Sequence, residues 1–349
     1  MQDQPPWLVA LLFALGSAAI WWAGTRLEHY TDVIARRTGL GRAFAGLLLL
    51  AGATSLPELA TTLTAVVLLD NPTLAVHNLI GGVALQTVVL VWADAVKGRR
   101  GALTWFSPAF VLLIEGVGLL MLLQLTILGM TARDAATVGG VSVWLILLAL
   151  AYVGVLHLVY RYRGQPRWTP ELSDDFPREE PAHAPEEAGV EDERPLGRVW
   201  WLFAFMSLVV LAGGWLSATT VEVLAAQTGL GDAFLGATLL ALGTSLPEVS
   251  TTTAAVRQGR YTVAVSNIFG SNAFDVSLLL LADLLFRGGT VMAHGGETLV
   301  LVAALGSLLT AIYLWGLIER ENRTVLGIGW DSAAALLAYL AGMVVLYRM

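Results

Sequence analysis

Long apolar runs alternate with short polar breaks along this chain, and run length sets the first reading. An α-helix rises 1.5 Å per residue, so about 20 apolar residues cross the roughly 30 Å of hydrocarbon in a bilayer. Runs of that order cover residues 7–27, 43–69, 74–96, 104–130 and 134–160. A second set covers 199–223, 233–256, 261–286, 293–318 and 325–347. The pattern predicts an all-α membrane protein of about ten transmembrane helices in two sets of five. The leader MQDQPP is acidic rather than basic and the run behind it exceeds a signal-peptide core, so it reads as an uncleaved first span.

Composition agrees with the membrane reading. Hydrophobic residues make up 56% of the 349 and charged residues only 13%, about half the share in an ordinary soluble domain. With no cysteine, disulfides and thiolate metal sites are excluded. The chain has no G-x-x-x-x-G-K-S/T segment, which argues against an ATP-driven pump. Neither an enzymatic activity, a cofactor nor a nucleic-acid partner is expected. Its partners are inorganic cations and the lipid bilayer.

Charge placement gives an orientation and a boundary. If the N-terminus is outside, the loops between spans 1–2, 3–4, 5–6, 7–8 and 9–10 hold 17 of the 20 Lys and Arg residues, a strong positive-inside bias. Both termini are then expected outside the inner membrane of a prokaryote, or its equivalent. The central loop holds 10 of the 27 acids within 163–195 and is rich in proline, the signature of a solvated tether. The expected organisation is a repeat over 1–162, an acidic cytoplasmic linker over 163–196 and a second repeat over 197–349.

The two sets are copies. Gly39 to Val66 overlies Gly229 to Val256 without gaps, with identity at 18 of 28 positions. Five spans per copy is an odd number, so the copies enter the membrane from opposite sides. Inverted repeats of this kind place their substrate site where broken helices meet near the midplane. The matching elements cover 39–96 and 229–286.

Each copy carries TSLPE inside an apolar run, a costly arrangement. Pro57 and Pro247 cannot donate to the helix ladder, which frees the carbonyls of Ala53 and Gly243. Glu58 and Glu248 follow directly, and an intramembrane carboxylate marks function by default. Thr54 and Thr244 lie one turn earlier on the same face. In the next span Asn267, Ser271 and Asp275 recur at i, i+4 and i+8 on one face, whereas the first copy offers Asn78, Gly82 and Gln86. Oxygen-only ligands of this kind suit hard cations such as calcium, sodium or magnesium.

At these residues the sequence resembles the cation/calcium exchanger superfamily, which includes sodium/calcium exchangers. The resemblance rests on GATSLPE, ALGTSLPE and NIFGSNAFD, and on span count and inverted repeat over nearly the whole chain. It implies a secondary active antiporter in which Glu58 and Glu248 bind a calcium-like ion. It also implies that Thr54, Ser55, Thr244, Ser245, Ser271 and Asp275 are ligands for sodium and calcium, with spans 1 and 6 sliding as the gating pair. Where the family usually has Ser-Asn in its first repeat this chain has Gly82 and Val83, and where it has Asn or Asp it has Gln86. Oxygens that help build the sodium sites are lost there.

Calcium-for-sodium exchange is therefore expected, with proton coupling, or exchange of magnesium or another divalent cation on the same fold, as the rivals. A non-transporting sensor and a channel are further alternatives. In exchange, counter-ion and divalent ion compete for the same carboxylates, and a bare site in low dielectric disfavours unloaded crossing. Four more polar residues stand out. His77 is either a proton carrier or a hydrogen-bonded interface residue, Glu115 an extra acid near the site, a proton carrier or a buried hydrogen bond between helices, and Asp94 and Asp283 are expected to pair with Lys97 and Arg287 near helix ends.

Overall fold

The structure is a computed structural model describing residues 4–38, 55–98, 101–107, 109–132, 137–162 and 194–349. The first repeat contains α1 (Pro6–Thr38), α2 (Leu56–Leu63, continued by a π-helical turn over Thr64–Leu68), α3 (Pro72–Lys97), α4 (Phe110–Thr131) and α5 (Val143–Tyr162). The second contains α6 (Leu196–Thr228), α7 (Asp232–Thr244, with a π-helical turn over Gly236–Leu240), α8 (Leu246–Arg257), α9 (Tyr261–Leu285), α10 (Gly296–Glu319) and α11 (Trp330–Arg348).

Among the described residues eight helices are long and apolar enough to span, and α7 and α8 taken as a pair, bent by 50° at their break, are as well. Helix α2 is the described part of the run expected over 43–69, the remainder lying outside the described residues. The 163–193 stretch of the expected linker lies outside them too. Helices α1 and α6 have 33 residues each, about 50 Å at helical rise, so they overrun the hydrocarbon and must tilt or project.

Contacts at the two ends show that the repeats are inverted. At one end Gln227 donates to the Gln4 carbonyl at 2.8 Å, Asn71 to Asp232 at 3.0 Å and Thr73 to the His294 carbonyl at 3.2 Å. At the other end Arg37 donates to the Arg194 carbonyl at 2.6 Å, Ala102 N–H to Asn322 at 3.1 Å, and the Phe106 and Tyr261 rings meet at 5.2 Å. Helix α1 therefore starts at the end where α6 finishes, and runs against it. Pairings are reciprocated as a two-fold relation requires: α1 packs on α8 and α6 on α2, α3 on α10 and α9 on α4, α3 on α11 and α9 on α5.

Spans five and ten begin later than the apolar runs suggest, because a β-hairpin comes first. Thr137–Val138 pairs with Val141–Ser142, and Thr324–Val325 with Ile328–Gly329, both antiparallel. The central turn residues have positive φ, 62° and 86° at Gly139 and Gly140 and 54° and 92° at Leu326 and Gly327, as a type I′ turn demands. Each hairpin is tethered to the other repeat by an aspartate. Asp94 accepts from Gly329 N–H at 2.6 Å, and Asp283 from Ser142 N–H at 2.8 Å and Val291 N–H at 2.7 Å.

This corrects one expected pairing. Asp94 does meet Lys97, at 3.2 Å, but the Asp283 oxygens go to two backbone donors rather than to Arg287, which is exposed. Burial explains it: the Ser142 N–H of the hairpin and the Val291 N–H that opens the 3-10 turn after α9 both need an acceptor inside the protein.

The core is closest where α3 crosses α7. A Cβ on Gly81 would lie 2.3 Å from Ala237 Cα, and one on Gly236 3.1 Å from the Leu74 carbonyl oxygen. Only glycine admits this approach, which brings the polar stripe of α3 beside the broken helix. Gly81→Val is expected to cost about 1–3 kcal/mol through overpacking, read as a lower melting temperature in detergent. Gly82→Ala, with only Gln86 Nε2 at 3.9 Å, should leave melting nearly unchanged.

Candidate ion-binding site

Two helix starts build the site. Helix α2 opens Leu56-Pro57-Glu58 and α8 opens Leu246-Pro247-Glu248, with Ser55 and Ser245 at the two N-caps. The prolines thus occupy the second helical position, where no carbonyl within the helix would accept their missing N–H. The cost of the break falls on the preceding segment, where the Gly243 carbonyl has no donor at Pro247. Each glutamate sits in a first turn, where the partial positive charge of a helix N-terminus favours an anion.

Burial and convergence follow. Glu58 is 1% exposed, Glu248 and Asp275 0%. The Glu58 carboxylate lies within electrostatic reach of Glu248 and Asp275 and beside Thr244, while Asp275 lies beside Gln86 and Ser55. Three acids from both repeats therefore share one buried region. Both Glu58 oxygens, Asp275 Oδ1, Asn78 Oδ1, Asn272 Oδ1 and the Ser55 and Ser245 hydroxyls are buried without a completed hydrogen bond. Unmet oxygens of this kind are rare in folded proteins and call for an explanation. A cation would supply one.

Asparagines brace both glutamate helices. Asn78 donates to Thr61 at 2.9 Å, and Asn267 to Thr251 at 3.0 Å and Thr252 at 3.3 Å. Thr61 donates back to the Pro57 carbonyl at 3.0 Å and Thr251 to that of Glu248 at 3.2 Å. The amide nitrogen of Asn78 is thereby occupied while its oxygen is spare. Asn267 is half-buried and serves chiefly as a brace.

On the other wall Gln86 donates to Asp275 Oδ2 at 3.0 Å and accepts from Ser271 at 3.3 Å. Ser271 also reaches the Asn267 carbonyl at 2.8 Å. Asn272 donates weakly toward the Val83 carbonyl at 3.4 Å and Thr87 at 3.3 Å.

Of the thirteen residues singled out from the sequence, Thr54 and Ala53 lie outside the described residues. Glu58, Ser55, Glu248, Thr244, Ser245, Gly243, Asp275, Ser271, Gln86, Asn78 and Asn267 all fall on the two broken elements or on the faces of α3 and α9 packed against them. Sequence reasoning missed Asn272, Thr61 and Thr251. The last two were visible as hydroxyls repeated at a spacing of 190 in ATTLT and STTTA.

His77 and Glu115 behave as interface residues. His77 Nδ1 faces the Thr73 carbonyl at 2.8 Å and Nε2 the Thr298 hydroxyl at 2.9 Å, so both ring nitrogens are engaged. Glu115 accepts from Ser266 at 2.8 Å, joining α4 to α9.

Among the described residues no three Asp, Glu, His or Cys side chains close on one point as metal ligands. A cation here would take its remaining ligands from hydroxyl, amide and carbonyl oxygens, the preference of sodium and calcium over zinc.

An inverted-repeat bundle that buries carboxylates from both repeats, one of them at the break of a bent helix pair, has the architecture of a secondary cation transporter. Comparison with known proteins agrees. The family model described as sodium/calcium exchanger protein matches residues 8–169 and 198–348, so the chain belongs to that family. It is 25% identical over 336 residues to inner membrane protein YrbG of Escherichia coli K12, covering 96% of each chain. It is 29% identical over 324 residues to the putative antiporter CaxA of Alkalimonas amylolytica, covering 90% of this chain and 93% of that one. The crystal structure of the H+/Ca2+ exchanger CAX shares the fold, with a TM-score of 0.64 over 97% of this chain and 85% of that chain at 12% identity.

Proposed function

We propose that this protein is an antiporter exchanging calcium for sodium by alternating access, with Glu58 and Glu248 as the central ligands. The observation that carries the reading is the burial of these two carboxylates, one from each inverted repeat, within reach of Asp275 and among unmet oxygens. Two carboxylates neutralise one divalent ion. Sodium competes by occupying the same oxygens, and an empty site holds anions repelling one another in low dielectric, so crossing without cargo is disfavoured. The family's description supports the sodium half of the reading.

Ser55, Thr244, Ser245, Ser271 and Asp275 serve as further ligands, together with the carbonyl of Gly243 and the oxygens of Asn78. Thr54 and the Ala53 carbonyl are their partners in the first repeat. The linker over 163–196 lies in the cytoplasm and both termini outside. Support for that orientation comes from Lys97, Arg257, Arg260, Arg320 and Arg323, which lie in or beside connections that share one end of the bundle.

Proton coupling is the second reading, favoured by one observation. Gly82 stands where the other repeat has the Ser271 hydroxyl, so the first repeat offers one sodium ligand fewer, and CAX is an H+/Ca2+ exchanger by name.

Reconstituted into proteoliposomes, the protein should take up radiolabelled calcium when loaded with sodium and stop when the sodium gradient is dissipated. A pH gradient driving the same uptake without sodium would select the proton reading, and magnesium competing equally with calcium would widen the substrate. Divalent binding without any gradient-dependent flux would defeat both readings.

A further inference from the structure

The wall formed by Gln86 departs from symmetry in a way that bears on how many counter-ions the site can take. In the second repeat Ser271 and Asp275 are one turn apart on α9. In the first, the matching positions on α3 are Gly82 and Gln86. A Cβ on Gly82 would meet nothing nearer than Gln86 Nε2 at 3.9 Å. The glutamine amide thus reaches into the space a side chain at 82 would share.

Its orientation follows from its partners. An ionised Asp275 carboxylate accepts, which assigns the amide face 3.0 Å from Oδ2 as the NH2 group and leaves the carbonyl face toward the Ser271 hydroxyl at 3.3 Å. Gln86 is fully buried, as is Asp275. The amide is a tethered donor sitting where a second carboxylate, with a cation between the two, would complete a symmetric site.

We propose that the Gln86 carboxamide takes the place of one bound monovalent cation beside Asp275, and so sets the exchange ratio one counter-ion lower than an open Asp275 would allow. The inference rests on the antiporter reading above. Gln86 Nε2–H satisfies Oδ2 with a partial positive charge that never leaves. Oδ1, buried and unmet, stays available as one ligand oxygen for the transported ions. Gln86 is accordingly a residue that fixes stoichiometry.

The test is the null-flux gradient in proteoliposomes, the ratio of counter-ion concentrations at which net calcium movement stops. It is measured for wild type, Gln86→Met and Gln86→Glu, with sodium or, if a pH gradient drives exchange, protons as the counter-ion. Gln86→Met removes the donor at similar volume, and Gln86→Glu replaces it with an anion. Both should raise the number of counter-ions per calcium by one and steepen the counter-ion concentration dependence accordingly. An unchanged ratio in either transporting variant overturns the proposal. Should neither variant transport, equilibrium binding of radiolabelled sodium to monodisperse protein must show one more bound ion than wild type, and equal binding overturns it. Failure of wild type itself to exchange would count against the antiporter reading, a distinguishable outcome.

Discussion

Glu58→Gln and Glu248→Gln are each expected to abolish gradient-driven calcium exchange while leaving the protein folded. Glutamine keeps the shape and one oxygen but removes the charge. Removing one partner from a buried charge arrangement costs about 3–5 kcal/mol, two to four orders of magnitude in affinity for the ion. Stability should move the other way or not at all. In the absence of cation, Glu58 faces Glu248 and Asp275 within a fully buried region, so neutralising one acid relieves both repulsion and desolvation.

The pairing of outcomes is therefore diagnostic: calcium uptake lost, melting temperature in calcium-free detergent equal or higher, and the stabilisation by added calcium reduced. Near-normal uptake in both variants would remove Glu58 and Glu248 from the site. Loss of uptake with a collapsed melting temperature would instead make them structural.

These residues were legible in the sequence because membrane physics makes them conspicuous. A proline and a glutamate inside an apolar run are each unfavourable, and the chain places the pair twice at a fixed spacing. The odd number of spans per copy then dictates that the copies are inverted, as the contacts of Gln4 with Gln227 and Arg37 with Arg194 show.

Less legible was where the proline sits. Read from the sequence, it interrupts one helix. In the structure it opens a new one, so the Gly243 carbonyl, which finds no donor at Pro247, and the N-terminal turn bearing Glu248 face the same break. The hairpins were hidden for a different reason. Val138, Val141, Val325 and Ile328 are apolar like the spans that follow, and periodicity over two-residue strands carries no signal. Only the Gly-Gly and Leu-Gly turns distinguish them. Asp283 was misassigned because a nearby arginine is visible in sequence, whereas two backbone N–H groups, one from a distant hairpin and one from the turn after α9, are not.

The second large effect is expected at the crossing of α1 and α6, the pair that would move if access to the site alternates. A Cβ on Gly16 would lie 2.7 Å from Ser217 Oγ and 3.0 Å from the Gly213 carbonyl oxygen. One on Gly213 would lie 2.9 Å from the Gly16 carbonyl oxygen and 3.0 Å from Ile20 Cγ1. The helices thus touch backbone to backbone, as small residues permit in membranes. Farther along, each rests on a glutamate-bearing element of the opposite repeat, Gly24 against Pro247 at 2.8 Å and Gly214 against Ala60 at 2.5 Å for the same notional Cβ. Displacing one long helix relative to the other would change what covers Glu58 and Glu248.

Gly213→Leu wedges this crossing with a bulk that the two arrangements cannot accommodate equally. An overpacking penalty of about 1–3 kcal/mol, falling mainly on one arrangement, shifts the equilibrium between them by roughly 5- to 150-fold. Calcium exchange should slow by a factor in that range, while calcium binding to the detergent-solubilised protein changes little, because no ligand has been touched. Gly197→Leu on the same helix, where an added Cβ meets nothing within 4 Å, should exchange at the wild-type rate. Equal slowing in both variants would mean that a generic disturbance of α6 is responsible. Wild-type exchange in Gly213→Leu would mean that the α1 and α6 crossing stays fixed during transport.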